Sequence, residues 1–518
     1  MSDRYILSID QGTTGTTVLI LDFNKKPANQ VLSRSNVEFP QYFPKAGWVE
    51  HDLNEIWASV QKASANALEE ARSKDSHFHP EKIASVGITN QRETLCVWDR
   101  KTGKPLRKAI VWQCRRSTEI CKHLKAENLE QQIRERTGLL ADPYFSGSKI
   151  KWLMSHDHEV RSALESGRAI LGTIDSWLIS CLTNGNSFVT EASNASRTLL
   201  YNIHSGSWDK ELCNIFSVPG LDCLPEIKDS AGEFGRTRGL GFLPDGIPIN
   251  GVLGDQQAAL AGQGCFEPGE GKCTYGTGAF LLLQLGTQNC LSTNGLLTTI
   301  SWQLNGKKYY ALEGASFIAG AAVQFMRDKL SLVETAAETE FLAADVTGAP
   351  EIYFVPALTG LGAPWWTPEA RGAFFGLTRG TSKNQMIRAS LEGMAFQVCD
   401  LLDSMKQDSS TNLSILRVDG GASVNNLLMQ VQADLANVNV ERPVNTETTA
   451  LGAALFAGLG TGLFSDISEL LKQRETDRCY TPDPNKVAGP EREAMLSGWK
   501  NAVGAVRYFA GYKEGLPN

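Results

Sequence analysis

The sequence predicts an α/β protein of two domains, on three grounds. Strand and helix signals alternate along the whole chain, as in layered α/β structure and unlike an all-helical or all-β protein. At 518 residues the chain exceeds the roughly 250–300 that one core usually serves. Each half also carries a turn rich in glycine and threonine between strand-like runs: Asp10-Gln-Gly-Thr-Thr-Gly-Thr-Thr17 near the start, and Tyr275-Gly-Thr-Gly-Ala-Phe280 about halfway along.

From the N-terminus, the apolar run 5–9 enters the first turn as a strand, and helical periodicity follows over 53–70. Short apolar runs predict strands over 85–88, 94–98 and 169–172. The glycine-rich stretch Gly262-Gln-Gly-Cys-Phe-Glu-Pro-Gly-Glu-Gly271 is the best linker; it divides the chain into 1–262 and 263–518 and predicts a hinge. Beyond it, 280–285 leaves the second turn as a strand, 298–303 and 309–313 follow as strands, and 316–328 reads as a helix. A strand over 352–355 and a helix over 383–405 come next. The strand 415–419 runs into a third glycine cluster, Val418-Asp-Gly-Gly-Ala-Ser-Val-Asn425, which opens a helix over 425–436; helices over 450–459 and 492–512 complete the chain. No exact repeat is visible, but hairpins of similar design open both halves, as expected of a distant duplication.

Apolar residues make up 42% and charged residues 21%, with a net charge of −7, so there is no basic surplus for gripping nucleic acid and an anionic ligand needs a local site. The uncharged stretches 273–306 and 448–465 are interrupted by Gly, Thr, Gln or Asn. Neither supplies the ~20 predominantly apolar residues of a membrane span, and they read as buried strands and a buried helix. The first residues carry no long apolar segment of a secretory signal, which predicts a cytoplasmic protein. Eleven cysteines without a Cys-x-x-Cys pair read as reduced, mostly structural thiols. The histidine pairs His77/His79 and His156/His158 lie in polar contexts without further zinc ligands, whereas a hard cation held by carboxylates and phosphate oxygens fits the composition.

A Gly/Thr turn offers backbone N–H groups and hydroxyls without bulk, so it either cradles a phosphate or is simply a tight hairpin. Two of them, one per half, favour phosphate. The sequence has neither the Gly-x-x-x-x-Gly-Lys-Ser/Thr of a P-loop nor a strand-linked Gly-x-Gly-x-x-Gly. The third glycine cluster, ending a strand and opening a helix, lets the backbone approach a ring or a phosphate, and it is equally readable as a plain strand-to-helix turn. Together the three stretches predict a nucleotide lying across two domains.

At this point nearly the whole chain resembles the glycerol kinases of the FGGY carbohydrate kinase family, within the actin/hexokinase/Hsp70 superfamily. The resemblance rests on Asp10-Gln-Gly-Thr-Thr14, Gly47-Trp-Val-Glu-His-Asp52, Gly87-Ile-Thr-Asn-Gln-Arg-Glu-Thr94, Val111-Trp-Gln-Cys-Arg-Arg116, Asp142-Pro-Tyr-Phe-Ser-Gly147, Asn194-Ala-Ser-Arg-Thr198, Gly254-Asp-Gln-Gln-Ala-Ala-Leu260, Gly360-Leu-Gly-Ala-Pro364 and Thr449-Ala-Leu-Gly-Ala-Ala454, in that order. It implies two actin-like (ribonuclease H-like) domains with a hinged cleft that closes over substrate and keeps water from ATP. It also implies transfer of the γ-phosphoryl of ATP, with Mg²⁺, to glycerol, giving sn-glycerol 3-phosphate for glycerol catabolism and glycerolipid synthesis. By motif matching, Arg92, Glu93, Tyr144, Asp255 and Gln256 hold glycerol, and Trp112 and Phe280 form its apolar wall. Asp255 is the base and Asp10 the Mg²⁺ anchor. Thr14 and Thr277 meet the phosphates, while Gly320, Gln324, Gly421 and Asn425 line the nucleotide site. Donors and carboxylate acceptors suit vicinal hydroxyls, and an aromatic wall suits the carbon backbone. Members of the family are often dimers or tetramers, which implies a homodimer or homotetramer.

The chain departs from the family in three places. Gly15, Thr16 and Thr17 stand where Ser-Ser-Arg is usual, so Thr17 cannot supply the arginine's charge to the phosphates and the ATP affinity or rate is expected to be lower unless another cation substitutes. Residues 230–242 do not reproduce the Gly-Gly-x-Gly-Gly-Thr-Arg loop of relatives inhibited by fructose bisphosphate, which predicts no strong inhibition by it. Val189-Thr-Glu-Ala-Ser-Asn194 replaces Val-Thr-Asp-Tyr-Thr-Asn. The alternatives to a glycerol kinase are a kinase for another polyol or ketose and a catalytically idle nucleotide-binding sensor.

Overall fold

The structure, a computed structural model, describes residues 5–346, 352–409 and 411–512. Two large sheets organise it. The first is built from β1 (Tyr5–Gln11), β2 (Gly15–Asp22), β3 (Val31–Glu38), β4 (Ile83–Asn90), β5 (Ala231–Arg236) and β6 (Pro248–Gly254), in the order β5-β6-β4-β1-β2-β3. The second is built from β7 (Glu270–Tyr275), β8 (Ala279–Gly286), β9 (Leu297–Leu304), β10 (Lys307–Ser316), β11 (Ile415–Asp419), β12 (Val440–Pro443) and β13 (Thr476–Tyr480), in the order β9-β10-β8-β7-β11-β12-β13.

The pairings repeat strand for strand. In the first sheet β1, β2 and β3 pair antiparallel, β4 and β6 continue from β1 in parallel, and β5 closes that edge antiparallel. In the second, β7, β8 and β10 play the antiparallel part, β11 and β12 the parallel part and β13 the edge, with β9 added beyond β10. The duplication expected from the hairpins is thus present in the topology. Parallel strands need covering on both faces, and their sequences read accordingly: Tyr5, Ile6, Leu7 and Ile9 of β1 are all buried.

The helices that matter for the site are α1 (Leu53–Lys74), α2 (Asp255–Gly262), α3 (Gly320–Asp328), α4 (Lys383–Asp408), α5 (Asn426–Ala436), α6 (Thr448–Gly460) and α7 (Pro490–Phe509). Helix α1 starts where Asp52 accepts from the Asn54 N–H, a short-range cap. Helix α6 is buried along nearly its whole length, as its uncharged sequence requires. It packs on β1, β4, β6 and α2, all in the first half of the chain. One core therefore holds Ile6, Leu19, Leu21 and Leu253 of the first sheet, Ala258 and Leu260 of α2, Leu282, Trp302 and Ala311 of the second sheet, and Leu451, Leu455 and Phe456 of α6. At the crossing of α2 and α6 the backbones touch: a Cβ at Gly452 would lie 1.8 Å from the Ala258 carbonyl oxygen, and one at Gly262 1.9 Å from that of Thr448.

Several expectations shift. The helix expected over 316–328 begins at Gly320, because Ser316 still pairs with Ala279 as the last residue of β10. Strand Ala169–Gly172 is present but belongs to neither large sheet; it pairs antiparallel with Cys96–Asp99. Helix α7 starts early, with Pro490 in its first turn, where a missing N–H costs nothing, and ends at Phe509 rather than 512. All eleven cysteines are free thiols, and among the described residues no helix is long and apolar enough to cross a membrane.

Candidate active site

Register places the key groups. Strands β1, β4 and β6 run parallel and side by side, with Asp10 opposite Thr89, Gln11 opposite Asn90, and Asn90 opposite Gly254. Their C-terminal ends therefore deliver Asp10, then Gln91-Arg92-Glu93, then Asp255 to one edge, where open α/β sheets bind ligands. The second sheet does the same with β7 and β11, whose ends carry the Gly276-Thr277-Gly278 turn and the Gly420-Gly421 turn.

Each hairpin is closed by one short bond, Gly12 N–H to the Gly15 carbonyl at 2.9 Å and Gly276 N–H to the Gly278 carbonyl at 2.9 Å, which leaves Thr14 and Thr277 exposed at the tips. The first tip is braced by Gln91, which donates to the Gln11 side chain at 3.1 Å and the Gly12 carbonyl at 3.2 Å. Trp112 Nε1 donates to Thr13 Oγ1 at 2.9 Å, tying that indole to the tip. The second tip receives the start of α3, with the Ala319 N–H on the Thr277 carbonyl at 2.8 Å and the Gly320 N–H on that of Gly276 at 2.9 Å. Gly320 and Gln324, four apart, share a face of α3, and Gln324 is exposed. Gly420 has φ +85°, and a Cβ there would sit 2.6 Å from the Tyr275 carbonyl oxygen, so the third turn lies against the second hairpin; beside Gly421 there is open space. Asn425 is nearly buried and its amide is committed, accepting from the Leu428 N–H at 2.9 Å as the cap of α5 and donating to Thr339 at 3.1 Å.

The expected acceptor residues converge on Arg92. Its Nε lies 3.1 Å from Asp255 Oδ1 and 3.8 Å from Glu93 Oε1, and its Nη2 donates to Tyr144 Oη at 3.4 Å. The Trp112 and Tyr144 rings meet edge to face at 5.5 Å. Phe280 is half-buried on β8 opposite Thr274. Asp255 is the first residue of α2, and its Oδ1 accepts from the Gln256 N–H at 2.7 Å. Gln256 accepts from Lys272. Glu93 has φ +60°, a left-handed conformation costly for a side chain of its size. What holds it there is the buried Arg197, whose Nε donates to Glu93 Oε1 at 2.6 Å.

Three charged residues without an expected role complete the cluster: Glu313 on β10, Lys272 on β7, and Arg197, which lies inside a quoted motif. Glu313 takes Arg92 in a two-pronged grip at 2.6 and 2.9 Å and Arg197 at 2.9 Å. Burial would raise the Glu313 pKa, but Arg197 and Arg92 outweigh it and hold it at about 2. For Asp255 burial wins over Arg92 and Lys272, and its pKa is raised. Asp10 is pushed up to about 8 by burial and by the neighbouring charges of Asp255 and Glu447. Such a desolvated, mutually repelling acidic set suits a hard divalent cation. Among the described residues no three His, Cys, Asp or Glu side chains form a full metal cage, so a cation here would be shared with water and phosphate oxygens. Thr17 accepts from Asn36 at 2.9 Å; the cations that act on Glu313 in this cluster are Arg197, Arg92 and Lys272.

The N-terminal domain of the FGGY family of carbohydrate kinases matches residues 5–262 and its C-terminal domain matches residues 271–461. The chain belongs to the FGGY family of carbohydrate kinases. Among FGGY kinases it is 50% identical over 505 residues to the glycerol kinase of Halothermothrix orenii, spanning 98% of this chain and 99% of that protein. It is 51% identical over 504 residues to the glycerol kinase of Myxococcus xanthus, spanning 96% and 99%. The crystal structure of Plasmodium falciparum glycerol kinase with ADP superposes with a TM-score of 0.89 at 37% identity, covering 97% of this chain and 98% of that one. A xylulose kinase from Lactobacillus acidophilus superposes with a TM-score of 0.87 at 23% identity, a likeness of fold alone. The two-sheet architecture is thus that of the FGGY kinases, the actin-like fold expected from the sequence.

Proposed function

We propose that the protein is an ATP-dependent glycerol kinase, with residues 1–262 holding the acceptor and 263–518 the nucleotide. The observation that carries this reading is the cluster in which Asp255 and Tyr144 each lie within hydrogen-bonding distance of Arg92, with Gln256 next to Asp255 and the Trp112 ring against that of Tyr144. Relatives at about 50% identity over nearly the full chain, named glycerol kinases, support it. Arg92, Glu93, Tyr144 and Gln256 fix the triol so that one terminal hydroxyl faces Asp255, while Trp112 and Phe280 pack on its carbons and exclude water. Asp255 accepts the proton of that hydroxyl as the O–P bond forms. Thr14 and Thr277 present the two hairpin tips to the phosphates. Gly320, Gln324 and Gly421 line the nucleotide; Asn425, its amide already committed, shapes that wall through α5. Mg²⁺, anchored by Asp10 through water, would offset charge on the transferring phosphoryl group.

The test is ADP release from Mg-ATP by the purified protein with glycerol, erythritol, xylulose, gluconate, dihydroxyacetone or no acceptor. Stimulation by glycerol above the others is the expected result. Stimulation by another acceptor would overturn the pocket assignment, and no stimulation would overturn the reaction.

A further inference from the structure

We propose that Glu313 is a positioning residue for the acceptor site, supplied by the second sheet to orient Arg92 of the first half. The inference rests on the proposed glycerol kinase activity. Glu313 sits mid-strand in β10, flanked by Leu282 of β8 and Leu297 of β9, and is 1% exposed. A carboxylate in such a place is costly unless it is paired and fully hydrogen-bonded. Its partners are Arg92, 221 residues away, through both oxygens, and Arg197, 116 residues away, through Oε1. Both arginines belong to the first half of the chain. The pairing therefore crosses between the two sheets, and it does so at the acceptor cluster.

The geometry says what this pairing does there. A two-pronged carboxylate grip fixes the plane of a guanidinium as well as its position. With Nη1 and Nη2 held by Glu313, the Nε edge of Arg92 faces Asp255 at 3.1 Å and Nη2 leans to Tyr144 at 3.4 Å. Both contacts are with groups assigned to glycerol. Without Glu313, the carboxylates left within 4 Å of Arg92 among the described residues are Asp255 and Glu93. With the two-pronged grip gone, nothing fixes the plane of the guanidinium, and its Nε and Nη2 are no longer set toward Asp255 and Tyr144 in the geometry the acceptor needs. Because the grip comes from the opposite half, Arg92 takes its working orientation only while the two halves are together. The acceptor site is in this way completed by the half that holds the nucleotide.

The experiment is steady-state kinetics of the full-length protein with glycerol and Mg-ATP varied separately, for the wild type, Glu313→Gln and Glu313→Asp, alongside a thermal melt of each. Glu313→Gln is expected to raise the KM for glycerol and lower kcat by tenfold or more each, with the KM for Mg-ATP within twofold of wild type. Glu313→Asp, which keeps the charge but shortens the reach, should recover part of both losses. A glycerol KM within twofold of wild type in Glu313→Gln overturns the proposal; should that chain not fold, the same result in Glu313→Asp does so. Equal losses for both substrates that track a lowered melting temperature also overturn it, since they are what a purely structural ion pair would give. A wild type without glycerol-stimulated turnover overturns the functional reading and this inference with it, whereas an active wild type with indifferent variants overturns this inference alone.

Discussion

Asp255 has to be desolvated enough to bind a proton and paired enough to stay ionised. Burial raises its pKa while Arg92 and Lys272 pull it back, and the net direction is upward. A base must be ionised to act, so the acid limb of kcat/KM should lie above the ordinary aspartate value of about 3.9, with activity falling as pH drops through it. Asp255→Asn should cut turnover by about 10²–10⁴-fold with an unchanged far-UV spectrum; a variant near wild-type rate would remove Asp255 from the chemistry. Asp400, on α4, shows the opposite use of a buried carboxylate. Trp365 and Trp499 both donate to its Oδ2, at 3.0 and 2.9 Å, and burial, only partly offset by these two bonds, raises its pKa to about 7. The folded chain thus holds a proton that the unfolded chain releases above about pH 4. Stability from this site is complete below that value and is lost as pH rises through about 7. Asp400→Asn, which keeps an acceptor for the indoles, should flatten that loss and raise stability at pH 8 by up to roughly 4 kcal/mol, about three pKa units. Denaturant titrations at pH 5 and pH 8 measure it, and an equal effect at both would contradict the assignment.

Elements differ in how plainly the sequence announces them. The hairpins, the third glycine turn and helix α6 were readable because their determinants are local: turn residues between apolar runs, and an uncharged helix that can only be buried. Arg92, Asp255 and Tyr144 were readable as motif members. Glu313 and Lys272 were not, since a single charge inside an apolar strand gives no sign of partners more than 200 residues away, as for Glu313 and Arg92. The sequence offered only the oddity of Glu313 in Ala-Leu-Glu-Gly-Ala and Lys272 in Gly-Lys-Cys-Thr. Helix α3 starts later than 316 for a similar reason, because Ser316 pairs with Ala279 in the sheet and the N–H groups of Ala319 and Gly320 are taken by the Thr277 and Gly276 carbonyls of the distant hairpin. Two glycines separate contact from conformation. Gly452→Ala drives a methyl into the Ala258 carbonyl and should cost at least about 1–3 kcal/mol in a urea titration. Gly421→Ala meets no neighbour within 4 Å, so its stability should stay within about 0.5 kcal/mol of wild type while the KM for ATP rises. Strong destabilisation at Gly421 together with an unaffected KM would place the nucleotide elsewhere.

On the scale of the whole molecule, the two sheets repeat one topology, yet they do not form two independent cores. Helix α6 closes the first sheet although it lies in the second half of the sequence, and α2 reaches toward the second sheet from the first half. A fragment comprising residues 1–262 should therefore expose the face of β1, β4 and β6 that α6 covers. It should bind a hydrophobic dye or aggregate, and a monomeric fragment with a sharp melting transition would show that the halves are autonomous. The same seam governs how sequences of this kind can diverge. With the backbone of α6 resting on α2 at Gly452 and Ala258, and again at Gly262 and Thr448, neither copy of the duplicated unit is at liberty to drift alone. A larger residue in one has to be answered in the other, so the two helices are bound to coevolve as a pair, and α2, whose first turn carries Asp255 and Gln256, ties the acceptor site to that constraint.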